Sequence, residues 1–125
     1  MARLGVAQPQ LFVADVTASA AWFARVLGFE TVYLYGTPPY YGLVRRDSAL
    51  LNLRHVDTSP WRDGRRDAEE LLSAWIEVAD IVALHDAMLA AGADIAVPPQ
   101  PKPWGHTEFI VRDPDGNLIC FSGNA

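Results

Sequence analysis

Flat aromatic side chains are the residues of this 125-residue chain whose types and settings most directly suggest chemistry. Trp104 lies between Pro103 and Gly105, a loop setting that offers its indole to a ligand rather than to a core. Phe12, Tyr40 and Trp75 fall in strand-like stretches, with Tyr41 and Trp61 as further candidates. Aromatic faces stack on planar heterocycles and attract cations. Trp75 is compatible with packing or with ligand contact, and Trp61 with a lid or a packing staple. Trp22 and Phe23, at helical spacing, read as core. Glu77 is a candidate inward carboxylate whose proton affinity burial would raise, against the plainer reading of contact with solvent or an arginine. No Ser-His-Asp or Cys-His arrangement is apparent along the chain, where Cys120 stands alone and His55, His85 and His106 are scattered.

Such residues must be held by elements, and the elements repeat. Leu11–Val16 lies over Ile76–Ile81: both alternate apolar and other residues, reach an aspartate, then enter a helical period. The spacing predicts helices over Thr17–Leu27, closed by Gly28, and Val82–Ala91, closed by Gly92. Asp15 or Thr17 caps the first and Asp80 the second. Strands are expected at Phe29–Tyr35, Tyr40–Arg45 and Ala49–Arg54, then at Asp94–Val97, Glu108–Arg112 and Leu118–Ser122. Asp113-Pro114-Asp115-Gly116 is a strong turn signal. The fold class is therefore α+β, two tandem βαβββ modules within one domain spanning 1–125. Module one covers about 6–56, a charged surface linker 57–70, and module two about 71–123. The proline-rich stretch Pro98–Pro103 is expected to be extended and stiff.

Strand alternation then assigns faces. If Leu11, Val13, Leu51 and Leu53 face the helices, Gln8, Gln10, Phe12, Leu50, Asn52 and Arg54 face the other way. By the same parity Ser73, Trp75 and Glu77, and Leu118, Cys120 and Ser122, point inward.

Bulk properties exclude several classes. Fifteen acidic against ten basic residues give a net charge of −5, which argues against nucleic-acid binding and mildly favours cationic ligands. The apolar runs are too short for a membrane span, and Met1–Gly5 carries no long apolar leader. A lone cysteine leaves no internal disulfide framework and fits a reducing cytoplasm. The expected setting is cytoplasmic.

Asp15-Val16-x-x-Ser19-x-x-Trp22-Phe23-x-x-x-Leu27-Gly28-Phe29 resembles the first-helix signature of the vicinal-oxygen-chelate superfamily, which includes glyoxalase I, extradiol dioxygenases and bleomycin-resistance proteins. Pro103-Trp104-Gly105-x-x-Glu108-Phe109-x-x-Arg112-Asp113-Pro114-x-Gly116-Asn117 is similar to the corresponding block of the bleomycin-resistance branch. The resemblance implies a cupped sheet with helices outside and a ligand cavity inside. It also implies a homodimer whose interface grooves sandwich a planar drug between aromatics, with Trp104, Trp75 and Tyr40 at stacking positions. Gln10 and Glu77 would hold polar edges, and Phe12, Asn52 and Arg54 share the inward face.

Metal-dependent members of that superfamily draw one ligand from each of four cup strands. The matching positions here are Gln8, Asn52, Ser73 and Cys120, a set with no carboxylate or histidine and hence too little charge for a divalent ion. The reading is therefore a protein without metal or other cofactor that sequesters a planar, cationic antibiotic or metabolite, with no catalytic residue. A metal-dependent enzyme of the same superfamily and an effector-sensing accessory domain are the alternatives.

Overall fold

The computed structural model describes residues 1–61 and 63–125; Arg62, within the expected linker, lies outside them. After an exposed arm, β1 (Gln10–Val13) buries Leu11 and Val13 completely. Asp15 then caps α1 (Val16–Leu27) by accepting the Ala18 N–H at 3.0 Å, and Gly28, at φ +74°, closes it. Strands β2 (Glu30–Gly36), β3 (Pro39–Arg46) and β4 (Ala49–His55) complete the first module. A short helix, α2 (Arg65–Ala68), leads to β5 (Ala74–Val78). Asp80 then caps α3 (Ile81–Ala90) through the Ala83 N–H at 3.1 Å. Strands β6 (Asp94–Pro101), β7 (Thr107–Arg112) and β8 (Leu118–Gly123) follow.

Each module forms a four-stranded mixed sheet, in the orders β1-β4-β3-β2 and β5-β8-β7-β6. The first pairing is parallel in both, aligning Gln10 with Asn52, Phe12 with Arg54, and Trp75 with Cys120. One face of each sheet is covered by helix. Val16, Phe23 and Leu27 of α1 join Leu11, Val44, Leu51 and Leu53 in one cluster, which also holds Ile81, Met88, Phe109, Val111, Ile119 and Phe121 of the second module. Each such side chain contributes about 1.5–3 kcal/mol relative to exposure. Trp22 packs against this core, edge-on to Phe23.

The structure decides between two cap candidates, extends one strand and corrects the reading of the linker. Asp15, not Thr17, is the first cap. The proline-rich stretch belongs largely to β6, which continues through Pro98, Pro99 and Pro101, with Gln100 opposite Glu108. This works because β6 is an edge strand, where a residue without an N–H costs no ladder bond. The linker is more than surface: Arg66 is buried, its guanidinium 3.4 Å from the Trp61 ring centre and bonded to the Leu71 carbonyl and the Ser73 hydroxyl.

The turn Asp113–Asn117 does a second job as a clasp between modules. The buried Asn117 amide donates to the Phe12 carbonyl at 2.9 Å and accepts from the Trp61 indole at 3.0 Å. Asp115 accepts the Ala14 N–H at 2.9 Å. Asp113 holds the turn closed by accepting from the backbone of Asp115 and Asn117, and burial pushes its carboxyl up to about 6.

At Gly123 the parallel β5–β8 pair leaves no room for a side chain, because a Cβ there would collide with the Val78 carbonyl. Gly123→Ala is therefore expected to cost at least about 2 kcal/mol in urea denaturation, since backbone must move. An unchanged midpoint would contradict this packing.

Candidate functional site

Parity on β7 builds the site. Phe109 and Val111 face the helix-covered core, so Glu108 and Ile110 face the open side, where Ile110 packs with Leu118 and Cys120 of β8. Glu108 is only 8% exposed, and a carboxylate so placed needs donors. It has them. Oε2 accepts from the Trp75 indole at 3.1 Å, the Trp104 indole at 3.0 Å and the Ser122 hydroxyl at 2.9 Å. Among the described residues Oε1 meets only the Cys120 thiol, with Sγ at 3.6 Å. Burial pushes the Glu108 carboxyl upward, but these donors outweigh it and hold the group below the ordinary glutamate value, so it is ionised at neutral pH.

The two indoles are largely in water, Trp75 about half-exposed at 49% and Trp104 at 64%, yet both are tied to one oxygen. Trp104 sits on a tight turn closed by bonds from the Lys102 N–H to the His106 carbonyl and from the Gly105 N–H to the Lys102 carbonyl. Gly105, at φ +96°, supplies the left-handed step. Trp75 stacks on His106, with interplanar angle 7° and centroids 6.4 Å apart. His106 Nδ1 lies 2.9 Å from the Ser122 hydroxyl; because that hydroxyl gives its hydrogen to Glu108, the imidazole is the donor. Trp75, Trp104 and Glu108 line a pocket of about 410 Å³, with Cys120 and Ile110 in its wall and Glu70 and Lys102 beside them. That volume lies within the range of small-molecule sites.

Of the expected site residues, Trp75 and Trp104 are thus brought together. Glu77 is not with them: it is exposed on β5 and lines a separate cleft of about 640 Å³ between the modules, which Trp75 also borders. Gln10, Phe12, Asn52 and Arg54 share the open face of the first sheet, where the Arg54 guanidinium lies 5.9 Å from the Phe12 ring centre. Tyr40 does not join that face. It has the parity of Gly42 and core Val44 and packs edge-on against Tyr35, whereas Tyr41 takes the open side and accepts a bond from the Gln10 amide at 2.9 Å. Glu108 was not singled out by sequence reasoning, although strand alternation from Phe109 and Val111 would have found it.

The four family metal positions do not fit a metal. Gln8 lies exposed on the N-terminal arm, and Ser73 accepts a guanidinium N–H from Arg66 at 2.8 Å, where a divalent ion would be repelled. Burial, reinforced by the Glu108 charge, pushes the Cys120 thiol up to about 12, so it offers no thiolate. Asn52 is neutral. Among the described residues, no group of three or more His, Cys, Asp or Glu side chains could hold an ion. Nor is any helix among them long and apolar enough to cross a membrane.

Two tandem modules with an open, aromatic-lined sheet face place the chain in a known class. The model of the Glyoxalase/Bleomycin resistance protein/Dioxygenase superfamily matches residues 5–121, and the chain belongs to that superfamily. Among solved structures, it is similar to the bleomycin-binding protein of bleomycin-producing Streptomyces verticillus in complex with copper(II)-bleomycin, with 29% identity, 100% of each chain covered and a TM-score of 0.77. It shares its fold with the bleomycin resistance determinant encoded on the transposon Tn5, at 20% identity, 97% and 98% coverage and a TM-score of 0.78. A glyoxalase-related enzyme from Clostridium phytofermentans is equally alike in fold, at 20% identity, 99% and 98% coverage and a TM-score of 0.77. Among curated proteins, no sequence matches this chain.

Because the Glu108 charge is favoured by folding, its contribution is present above the ordinary value of 4.5 and is lost as pH falls through the lower folded value. Glu108→Gln should therefore be less stable by about 1–3 kcal/mol at pH 7. In thermal melts the gap to wild type should narrow as pH drops below that range. A gap independent of pH would remove the charge from this account.

Proposed function

We propose that this protein binds and sequesters a planar, cationic small molecule without using a metal, an antibiotic of the bleomycin kind being the first candidate. The observation that carries this reading is the pair of exposed indoles tied to one buried, ionised carboxylate at the mouth of a pocket. Stacking on fixed aromatic faces and attraction to the carboxylate would together hold a flat cation. The complex of the 29% identical Streptomyces verticillus protein with copper(II)-bleomycin supports the ligand class. The family ligand positions, with Ser73 on a guanidinium and Cys120 protonated, support a metal-free mode.

The working unit is proposed to be a cytoplasmic homodimer of single-domain chains. The described lining of the pocket lies between positions 70 and 120, while Gln10, Phe12, Asn52 and Arg54 occupy the open face of the other module. A second copy would bring such a face opposite the pocket and cover apolar surface, including Val32, Tyr33 and Leu34 on the edge strand β2.

Tryptophan-fluorescence titration of chelator-treated protein with planar antibiotics, bleomycin first, tests the binding reading. Saturable quenching near one ligand per chain is expected, and quenching that needs added divalent metal would overturn the metal-free mode. In the same assay Trp104→Ala should weaken binding by about 1–3 kcal/mol with the fold intact. Sedimentation velocity at micromolar concentration should show a dimer, and a monomer there would sink the shared groove.

A further inference from the structure

The two oxygens of Glu108 are in different circumstances. Oε2 is filled by three full-strength donors at 2.9–3.1 Å, from Ser122, Trp104 and Trp75. Among the described residues Oε1 has only a thiol, a weak donor, at 3.6 Å. A nearly buried, ionised carboxylate with one under-served oxygen leaves hydrogen-bonding capacity unspent inside a pocket. Lys102 also lines the pocket, but among the described residues it forms no ion pair that would quench the charge. With Glu70 on the wall as well, carboxylates outnumber ammonium groups there.

Resting on the pocket reading above, we infer that Oε1 of Glu108 selects the ligand, taking a planar cation with an N–H at its edge, such as an amidinium or a protonated amino-heterocycle, over its neutral isostere. The flat body lies against the indoles, and one N–H reaches Oε1. A guanidinium fork gains no special advantage, because bidentate pairing needs two free oxygens and Oε2 is occupied. Trp75 and Trp104 add attraction for the delocalised charge.

The test compares 2-naphthamidine, cationic at neutral pH, with 2-naphthamide, its neutral counterpart of the same shape, by indole quenching. Wild type should bind the amidine at least about tenfold more tightly. In Glu108→Gln both compounds should still quench, with affinities within about twofold of each other. Glu108→Asp, which keeps a charge for the three donors but withdraws it from the pocket, should also lose most of the preference. Equal affinity of wild type for the two compounds overturns the selection while leaving the aromatic pocket standing. Binding of neither compound overturns both. A preference that survives in folded Gln and Asp variants places the selecting charge elsewhere and overturns the assignment to Glu108.

Discussion

A carboxylate nearly out of water must be surrounded by donors, and the geometry of the open side of the second module follows from how Glu108 meets that demand. Its donors come from β5, β8 and the turn before β7, so one oxygen fixes the relative positions of three separate pieces of chain. The indoles it recruits are large, each about half-exposed or more, and would otherwise be free to sample rotamers in solvent. Tied at their N–H edges, they become fixed walls before any ligand arrives, which lowers the ordering cost of binding. Ser122 extends the arrangement to His106, and His106 returns to Trp75 by stacking, so the system closes on itself.

What could be read from the sequence was what depends on local periodicity. The two βαβββ modules were legible because alternation, capping aspartates and closing glycines recur in the same order. Trp104 was legible from its proline and glycine neighbours, and Trp75 from the parity of β5. Glu77 and Glu108 illustrate the limit. Both are glutamates on the inward side of a strand, indistinguishable by type and parity. The sheet order separates them: β5 is an edge strand and leaves Glu77 in water, whereas β7 lies between β6 and β8, where Ser122 and Cys120 surround Glu108. Tyr40 and Tyr41 were separable only by the true register of β3. Ser73 likewise looks like a vacant hydroxyl until tertiary structure puts Arg66 upon it.

The segment between the modules shows how a charged, loop-like sequence can still organise a fold. Arg66 lays its guanidinium on Trp61, Trp61 meets Phe12 at 6.4 Å, and the Trp61 indole joins Asn117. Phe12 is therefore fixed from two sides, since its own carbonyl also receives the Asn117 amide. The open face of the first sheet and the turn of the second are thereby coupled by hydrogen bonds, aromatic contact and a cation–π contact rather than by exposed ion pairs, which are weak and screened by salt.

The same enclosure that surrounds Glu108 also sets the reactivity of Cys120. With burial and the Glu108 charge pushing its thiol up to about 12, the sulfur stays protonated at neutral pH. Alkylating electrophiles, peroxides and disulfides all react through that anion. The single sulfhydryl is thus chemically quiet although it forms part of a pocket wall, and a reactive small molecule held there would meet no nucleophilic sulfur.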